Sequence, residues 1–586
     1  MNAERLLQHY EQIADAPDAI ARLRRFILDL AVRGKLVPQD ANDEPASELL
    51  KRIAREKARL VKAGEIRKPK ALPEVEAPPF DLPRNWRWTP IREVTNDRGQ
   101  EIPRSTFTYI DVTAIDKEAG VVADPKVLEA SEAPSRARKI TRKGDVIYSC
   151  VRPYLLNVAV IETDFEPPPI ASTAFAILNG HGLVVPRYIW IVLRSPFMVT
   201  CVEENQRGQA YPAINDADFA VLPFPLPPLD EQHRIVAKVD ELMGLCDRLE
   251  AARAGREAVR DRLVAASLAR LNAPDTKASP AKVGTGFSSG DASDNESTFQ
   301  ADARFVLDAL PALTTRPDQI KRLRQTILNL AVRGKLVPQD PNDEPASELL
   351  KRIVREKARL AKAGEIRKPP TLQPVTDAEV LYALPRTWAW VRVGDIFDYD
   401  AGTKRNPKDL DQSRWLLELE DIEKDTSRIV ERLRVSDRDS QSTKSEFEPG
   451  DILYGKLRPY LNKVVVADEP GYSTTEIVAI RPFMRLCPDF SALAFRRPDF
   501  VAYVERLGRG TKMPRLRTPD AIVAPFPLPP LAEQHRIVAK VDVLMALCDR
   551  LEASLAATAA TRRRLLDALL AEALAPVDAR ELEAAE

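Results

Sequence analysis

The chain carries the same text twice, and this limits its possible folds more than any other property. Residues 20–70, IARLRRFILDLAVRGKLVPQDANDEPASELLKRIAREKARLVKAGEIRKPK, return at 320–370 with eight changes, at 21, 25, 26, 29, 41, 54, 61 and 70. Residues 223–251, PFPLPPLDEQHRIVAKVDELMGLCDRLEA, return at 525–553 with three differences. Between these near-copies lie two segments of about 150 residues that barely resemble each other. Two alike frames with two unlike inserts suit a molecule that reads two different things with one geometry.

A chain of 586 residues is too long for one core and predicts three or four domains. Its 44% apolar content supports packed cores. The charged residues sum to a net charge of zero, so no globally basic surface argues for nucleic-acid binding. Such an activity has to come from local patches. Five cysteines (Cys150, Cys201, Cys246, Cys487 and Cys548) show no CxxC spacing and leave one unpaired. That fits buried thiols in a reducing compartment better than disulfides. The charged N-terminus holds no apolar run like a signal peptide, and no stretch approaches the roughly 20 apolar residues of a membrane span. A soluble, cytoplasmic protein without membrane contact is expected.

Residues 1–80 open as a helical repeat region. Ile20, Leu23, Ile27, Leu30 and Ala31 keep helical spacing before Gly34 offers a stop. After a turn at Asn42-Asp43-Glu44-Pro45, a second helix starts near Ser47 and carries Leu49, Leu50, Ile53 and Leu60 to Gly64. Residues 301–383 repeat the region. Residues 81–228 and 384–530 each read as an α+β globular domain. In the first, β-rich runs at 107–114, 145–151, 158–162 and 174–178 are interrupted by a helix-like segment at 187–202. The two domains share a thin framework. Leu82-Pro83-Arg84 with Trp86 and Trp88 matches Leu384-Pro385-Arg386 with Trp388 and Trp390. Gly144-Asp145, Arg152-Pro153-Tyr154-Leu155 and Ser172-Thr173 match Gly450-Asp451, Arg458-Pro459-Tyr460-Leu461 and Ser473-Thr474. One fold with different surface content is the reading.

Each domain ends in a proline-rich stop and a long helix, at 229–271 and 531–586. Ile235, Val239, Leu242, Cys246 and Leu249 alternate by four and three, as do Ile537, Val541, Leu544, Cys548, Leu551 and Leu555. That is a coiled-coil seam. The first helix should reach on the order of 60 Å, more than a compact domain needs, and its duplicate is the obvious partner. Residues 272–300, rich in small and polar types, read as a flexible linker that lets the second helix return antiparallel. The expected fold is α+β, with two globular domains joined by a long antiparallel two-helix coiled coil in an internal pseudo-twofold repeat.

Catalytic signatures are missing. Gly34-Lys35-Leu36 and Gly334-Lys335-Leu336 lack the upstream glycine and following Ser or Thr of a phosphate loop, so they read as helix-ending turns. His233 and His535, in DEQHRI and AEQHRI, have no HExxH or Cys/His company and read as capping or packing residues. Asn406-Pro407-Lys408-Asp409 is not the Asn/Asp-Pro-Pro-aromatic loop an amino-methyltransferase needs, and no FxGxG-like cofactor loop occurs. Glu418, Glu420, Glu423 and Lys424 fit a solvated strand-to-turn segment at least as well as a nuclease-like acidic cluster. Neither a catalytic residue nor a metal ligand is expected.

The phrases LPRNWRW, GDVIYSCVRPYL, PFPLPPLDEQHRIVAKVDELM and NLAVRGKLVPQDPNDEPASELLKRI together resemble the specificity subunit of type I restriction–modification systems, over nearly the whole chain. The resemblance implies two target recognition domains, each reading one half of a bipartite, asymmetric double-stranded DNA site. It implies that the repeated helices form an antiparallel coiled coil fixing the spacing. Two adenine-N6 methyltransferase subunits would dock on that frame, and restriction subunits would join through them. It further implies that the chain catalyses nothing and binds no cofactor, with S-adenosylmethionine, Mg and ATP held by the partner subunits. Two rival classes compete: a methyltransferase or nuclease with diverged motifs, and a repeat-built protein-interaction scaffold with no role on DNA.

Candidate DNA-binding residues follow from local basic concentrations. Arg136, Arg138, Lys139, Arg142 and Lys143 precede the Gly144-Asp145 turn, and Arg152 and Tyr154 follow the next strand. Phosphate neutralisation and an ordinary solvated loop both fit them. Arg207, Gln209, Tyr211 and Asn215 lie in RGQAYPAIN, where the second copy reads RGTKMPRLR. Arg and Lys suit guanine edges, and Gln or Asn suits adenine. The second domain offers Arg509, Lys512, Arg515 and Arg517, Lys404 with Arg405, and Lys456, Arg458 and Tyr460. Arg152 and Arg458 are the same in both copies, so backbone positioning or structure suits them better than base reading.

Overall fold

In both copies of the frame the helical pattern becomes a hairpin of helices, α1 (Ala19–Val32) with α2 (Ala46–Lys62), and later α6 (Pro317–Val332) with α7 (Ala346–Ala363). The computed structural model describes residues 16–574 apart from 17, 67, 77, 209–210, 273–313, 368, 381, 440 and 508–512. The expected linker at 272–300 lies, but for Asn272, outside the described residues, as do Gln209, Arg509 and Lys512. The chain divides into two compact units, residues 1–256 with 559–586, and residues 257–558.

In the first unit, α1 stops where the sequence places a glycine. Gly34 has φ +65°, and an added Cβ would sit 2.4 Å from Pro83 Cγ. Gly334 repeats this against Pro385, again at 2.4 Å. Gly34→Ala is expected to cost about 1–2 kcal/mol from the left-handed backbone alone, with the clash added. A lowered thermal midpoint of the purified chain would show it. The α2 face that carries Leu49 and Ile53 is buried, and so is Lys57. Its ammonium donates to the carbonyls of Arg92 (2.7 Å) and Thr95 (3.0 Å), and burial pushes it down to about 8.

The first insert hangs from a two-stranded stalk. Strands β1 (Arg87–Pro90) and β11 (Pro223–Leu226) pair antiparallel with Thr89 opposite Phe224. Beyond it lie two sheets. One runs β5 (Lys126–Leu128), β2 (Phe107–Ile110), β9 (Pro169–Ser172), β6 (Ala137–Ile140). The other runs β10 (Phe175–Leu178), β7 (Val146–Ser149), β8 (Val158–Val160), with β4 (Val121–Val122) and β3 (Ile115–Asp116) at its far edge. The helix expected at 187–202 is two helices, α3 (Pro186–Arg194) and α4 (Pro196–Asn205). Pro196 has no N–H to continue the first, and Ser195 caps the second by accepting from Met198 N at 3.2 Å.

The second insert repeats this topology within its own unit. Its stalk is β12 (Ala389–Arg392) with β22 (Pro525–Leu528), Val391 opposite Phe526. One sheet runs β16 (Leu433–Arg434), β15 (Trp415–Leu417), β20 (Gly471–Thr474), β17 (Lys444–Phe447), with β14 (Lys404–Arg405) outermost. The other runs β21 (Ile477–Pro482), β18 (Ile452–Gly455), β19 (Val464–Val466), with β13 (Phe397–Tyr399) beside β21. The parallel pairing of β2 with β9 reappears as β15 with β20. The helices α8 (Pro488–Phe495) and α9 (Pro498–Leu507) stand where α3 and α4 stand in the first. The fold is α+β, and the inserts share one topology with different edge strands.

Each stalk leads into a 44-residue helix, α5 (Leu229–Asn272) and α10 (Leu531–Leu574). The start of the seam is already occupied in its own unit. Ile235, Val239 and Cys246 are buried in the core that also holds Ile27, Leu49 and Tyr188. Ile537, Val541 and Cys548 do the same with Ile327, Leu349 and Phe490. The sequence assigned these positions to the duplicate long helix, because periodicity reveals an apolar stripe but not what covers it. The first unit also contains the end of α10, where Leu566 and Leu569 pack with Ala16 and Ala19. The second contains the end of α5, where Val264, Leu268 and Leu271 pack with Leu330. All five cysteines are free thiols.

Candidate nucleic-acid interface

A buried polar clamp fixes each insert on its frame, and it explains why those phrases are duplicated. Trp86 Nε1 donates to Glu231 Oε2 at 2.9 Å, and Gln39 Nε2 donates to Oε1 at 2.6 Å. One turn on, Arg234 grips Asp43 through two nitrogens, at 2.6 and 3.1 Å. Gln232 accepts the backbone N–H of Val185 (2.9 Å) and donates to the Pro227 carbonyl (3.1 Å). Every member recurs in the second unit. Trp388 and Gln339 meet Glu533, Arg536 meets Asp343, and Gln534 accepts from Cys487 N. Burial pushes the Glu231 and Glu533 carboxyls up from their usual range, against the pull of their donors. No motif singles these residues out; their identical spacing in both copies was the signal. His233 and His535 beside them neither cap nor pack. Both are exposed and make no hydrogen bond or ion pair among the described residues.

With the insert fixed, two loops meet at the end of β7. Arg152 N donates to the Pro212 carbonyl at 2.8 Å, and Ile214 N to that of Cys150 at 3.0 Å. The same ladder in the second unit joins Arg458 N to Pro514 O at 2.8 Å and Leu516 N to Lys456 O at 3.0 Å. Each Arg-Pro-Tyr-Leu turn is flanked by left-handed residues, Arg152 (φ 49°) and Leu156 (φ 54°), Arg458 (φ 49°) and Asn462 (φ 52°). Such conformations cost about 1 kcal/mol each for residues with a Cβ. The result is that Tyr154 stands 51% exposed and Tyr460 42% exposed. Arg152 stacks over Tyr211, 4.8 Å from the ring centroid. Tyr211 itself is 69% exposed. Nearby Cys150 is buried, which pushes its thiol up to about 12 and leaves it inert.

The basic run at 136–143 is one patch in sequence and two in space, because β6 passes through it. Thr173 N donates to the Arg136 carbonyl, which puts Arg136 at the same end as Arg152. Arg142 and Lys143 lie at the other end, beside Asp145 and Asp164, about 13 Å along the strand. Arg138, half-buried, donates to the Ser135 carbonyl at 3.2 Å. Lys139 is inside, paired with Asp97 at 2.7 Å, and so serves the fold. Asn215 caps the helix Asp216–Ala220, accepting from Ala217 N and Asp218 N. Arg207 pairs with Asp218 at 3.0 Å while remaining exposed.

In the second unit, cations gather around the Ser473–Glu476 turn. Lys404 and Arg405 on β14 pair with Ser445 and Lys444 of β17, which in turn faces Ser473 and Thr474. Arg515 holds Glu476 at 2.9 Å, Arg405 holds Glu446 at 2.8 Å, and Arg517 holds Asp520 at 2.9 Å. Lys456 and Arg458 have no side-chain partner among the described residues. The carboxylates at 418–421 are neutralised. Arg438 pairs with Asp421, and Lys444 with Glu418 at 3.1 Å. No group of three or more His, Cys, Asp or Glu among the described residues could hold a metal ion. The two ends therefore share an arginine and an exposed tyrosine on one backbone ladder and differ in the facing loop, Tyr211 in one and Met513 in the other, an arrangement that suits polyanion contact rather than catalysis.

No protein-family model matches the chain. Among curated proteins it is 32% identical to the type I restriction enzyme EcoAI specificity subunit of Escherichia coli over 582 residues, 94% of this chain and 93% of that one. It is also 32% identical to the EcoEI specificity subunit of the same organism over 584 residues, 95% and 94%. Among solved structures it is similar to the HsdS subunit from Thermoanaerobacter tengcongensis, at 24% identity over 84% of this chain and 98% of that one, with a TM-score of 0.43.

Proposed function

The chain belongs to the specificity subunits of type I restriction enzymes, and from that premise we propose that its two recognition domains read the two unlike halves of one bipartite DNA target. Specificity subunits supply DNA recognition and are non-catalytic; methyl transfer and cleavage lie in other subunits. The observation that carries the reading is the matched ladder at 150–152/212–214 and 456–458/514–516, which presents Tyr211 in one unit and Met513 and Arg515 in the other. One scaffold with different exposed side chains reads different base edges, while the shared Arg152 and Arg458 meet the phosphate common to any duplex. Two copies of one frame present the same surface twice, which supports the docking of two adenine-N6 methyltransferase subunits, with restriction subunits joining through them. S-adenosylmethionine, Mg and ATP are then held by those partners, and the helical frame sets the spacer between half-sites. The assembly works in the cytoplasm, and among the described residues no helix is long and apolar enough to cross a membrane.

Mapping methyladenine across the genome with and without this gene tests the proposal. One two-part, non-palindromic motif should lose its methylation. An unchanged map, or loss of a single continuous palindrome, would defeat it.

A further inference from the structure

The zero net charge of the chain hides a cationic stretch that occurs twice. Between Glu44 and Lys70 stand nine lysines and arginines against four glutamates, and between Glu344 and Pro370 eight against four. On α2 the exposed members include Arg52, Arg55 and Arg59. Together with His181 and Leu183 of the recognition domain they line an open cleft of about 450 Å³. Arg352, Arg355 and Arg359 on α7 line its counterpart of about 600 Å³ with Met484 and Arg485. Several of these cations are half-spent on local carboxylates. Arg52 reaches Glu44 at 2.6 Å and Arg59 reaches Glu56 at 2.7 Å, with the same pairs at Arg352 and Arg359. Arg55 and Arg355, at the middle of each row, have no ion-pair partner among the described residues.

We propose that this duplicated arginine face binds the phosphate backbone of duplex DNA, independently of sequence. The proposal rests on the reading of the chain as a DNA-recognition subunit. Two features favour a nucleic acid over an acidic protein surface. First, a protein interface needs exposed apolar anchors at its centre, yet α2 exposes no large apolar side chain and the one on α7, Val354, is Ala54 in the first copy. The apolar residues lining the clefts, Leu183 and Phe483 with Met484, come from the inserts and are only partly exposed. Second, the face is the same in both units although their inserts differ, so its ligand does not depend on the half-site, a condition that duplex phosphate meets. A row of arginines with a free central guanidinium suits bidentate phosphate contact.

The test uses the chain assembled with its methyltransferase subunits, a duplex carrying the mapped methylation motif, and a scrambled duplex. Arg55→Gln combined with Arg355→Gln alters two exposed, unpaired side chains on intact helices. Each phosphate contact contributes a slope of about 0.9 to the fall of log K with log salt, so the double variant should be shallower by about 2. Affinity for both duplexes should drop by the same factor, roughly ten- to a hundredfold at 0.1 M salt, leaving their ratio unchanged. Arg55→Lys with Arg355→Lys should keep the slope. An unchanged slope in the assembled double variant overturns the proposal, and so does loss of the methyltransferase subunits from the complex, which would make the face a protein dock. A wild-type complex that fails to prefer the motif would instead sink the recognition reading itself.

Discussion

Glu231→Ala should destabilise the first unit by about 3–5 kcal/mol, while Glu231→Gln should cost less than about 1 kcal/mol. The carboxylate is the only acceptor for Trp86 Nε1 among the described residues, and Trp86 is 1% exposed, so water cannot replace it. Truncation leaves a buried indole N–H unsatisfied and opens a cavity where α5, α1 and the stalk meet. A domain stabilised by about 5–15 kcal/mol in total feels that loss. Glutamine keeps the shape. Its oxygen accepts from Trp86, and the Gln39 amide can turn to offer its own oxygen to the new NH2 group. Thermal midpoints of the two variants beside wild type decide the matter, and equal midpoints for Ala and Gln would show that the carboxylate is not the clamp.

The same pair of variants fixes the sign of a pH effect. Burial raises the Glu231 carboxyl above its value in the unfolded chain, so the folded state holds that proton more tightly. The stabilisation contributed by protonation is complete below the unfolded value and disappears as pH rises through the folded one. Between those two points the wild type should therefore gain on Glu231→Gln as pH falls. Glu533 is raised for the same reason, so Glu533→Gln should behave alike.

Periodicity made the frame legible: α1, α2 and the long helices fall where apolar spacing places them, because helix-forming patterns are local. The shared framework of the inserts was legible too, since Gly144 and Arg152 sit on the same turns as their partners Gly450 and Arg458, and Ser172 and Ser473 lie in the equivalent strands β9 and β20. What the sequence could not show was pairing. Strand β6 reads Ala-Arg-Lys-Ile, a basic run by composition, and the burial of Lys139 is explained by the carboxylates of Asp97, 42 positions away, and of Asp216. Asn215 looked like an adenine reader because its amide suits one; its cap role depends on the backbone that follows. Ser195-Pro196, in contrast, marked the break between α3 and α4 in plain view. The arginine face escaped because charge was summed over the whole chain rather than along one helix.

Replacing residues 393–524 with residues 91–222 should yield a chain that directs methylation to a palindromic bipartite motif built from the first half-site alone. The splice points are set by the stalks. Pro90 faces Pro223 and Arg392 faces Pro525, and just beyond them Ile91 N donates to Leu222 O (2.8 Å) and Val393 N to Ala524 O (3.0 Å). Several contacts that seat the transplanted domain on its new frame do not depend on side-chain identity. Gln534 would accept the backbone N–H of the transplanted Val185 as it now accepts that of Cys487. Trp388, Gln339 and Glu533 belong to the retained stalk and frame, so the clamp stays whole. The buried frame differences at Thr326 and Asn329 face Asn272 of α5 rather than the insert, so the exchange leaves them undisturbed. Lys321, which is Ala21 in the first copy, loses its partner Asp425, and an exposed pair of that kind should cost no more than about 1 kcal/mol without changing the topology. Under the proposed reading of one half-site by each domain, the second half of the motif should become the reverse complement of the first. Methyladenine mapping in cells carrying only the chimera reads this out directly. Continued methylation of the original asymmetric motif by the soluble chimera would show that the inserts do not carry the specificity.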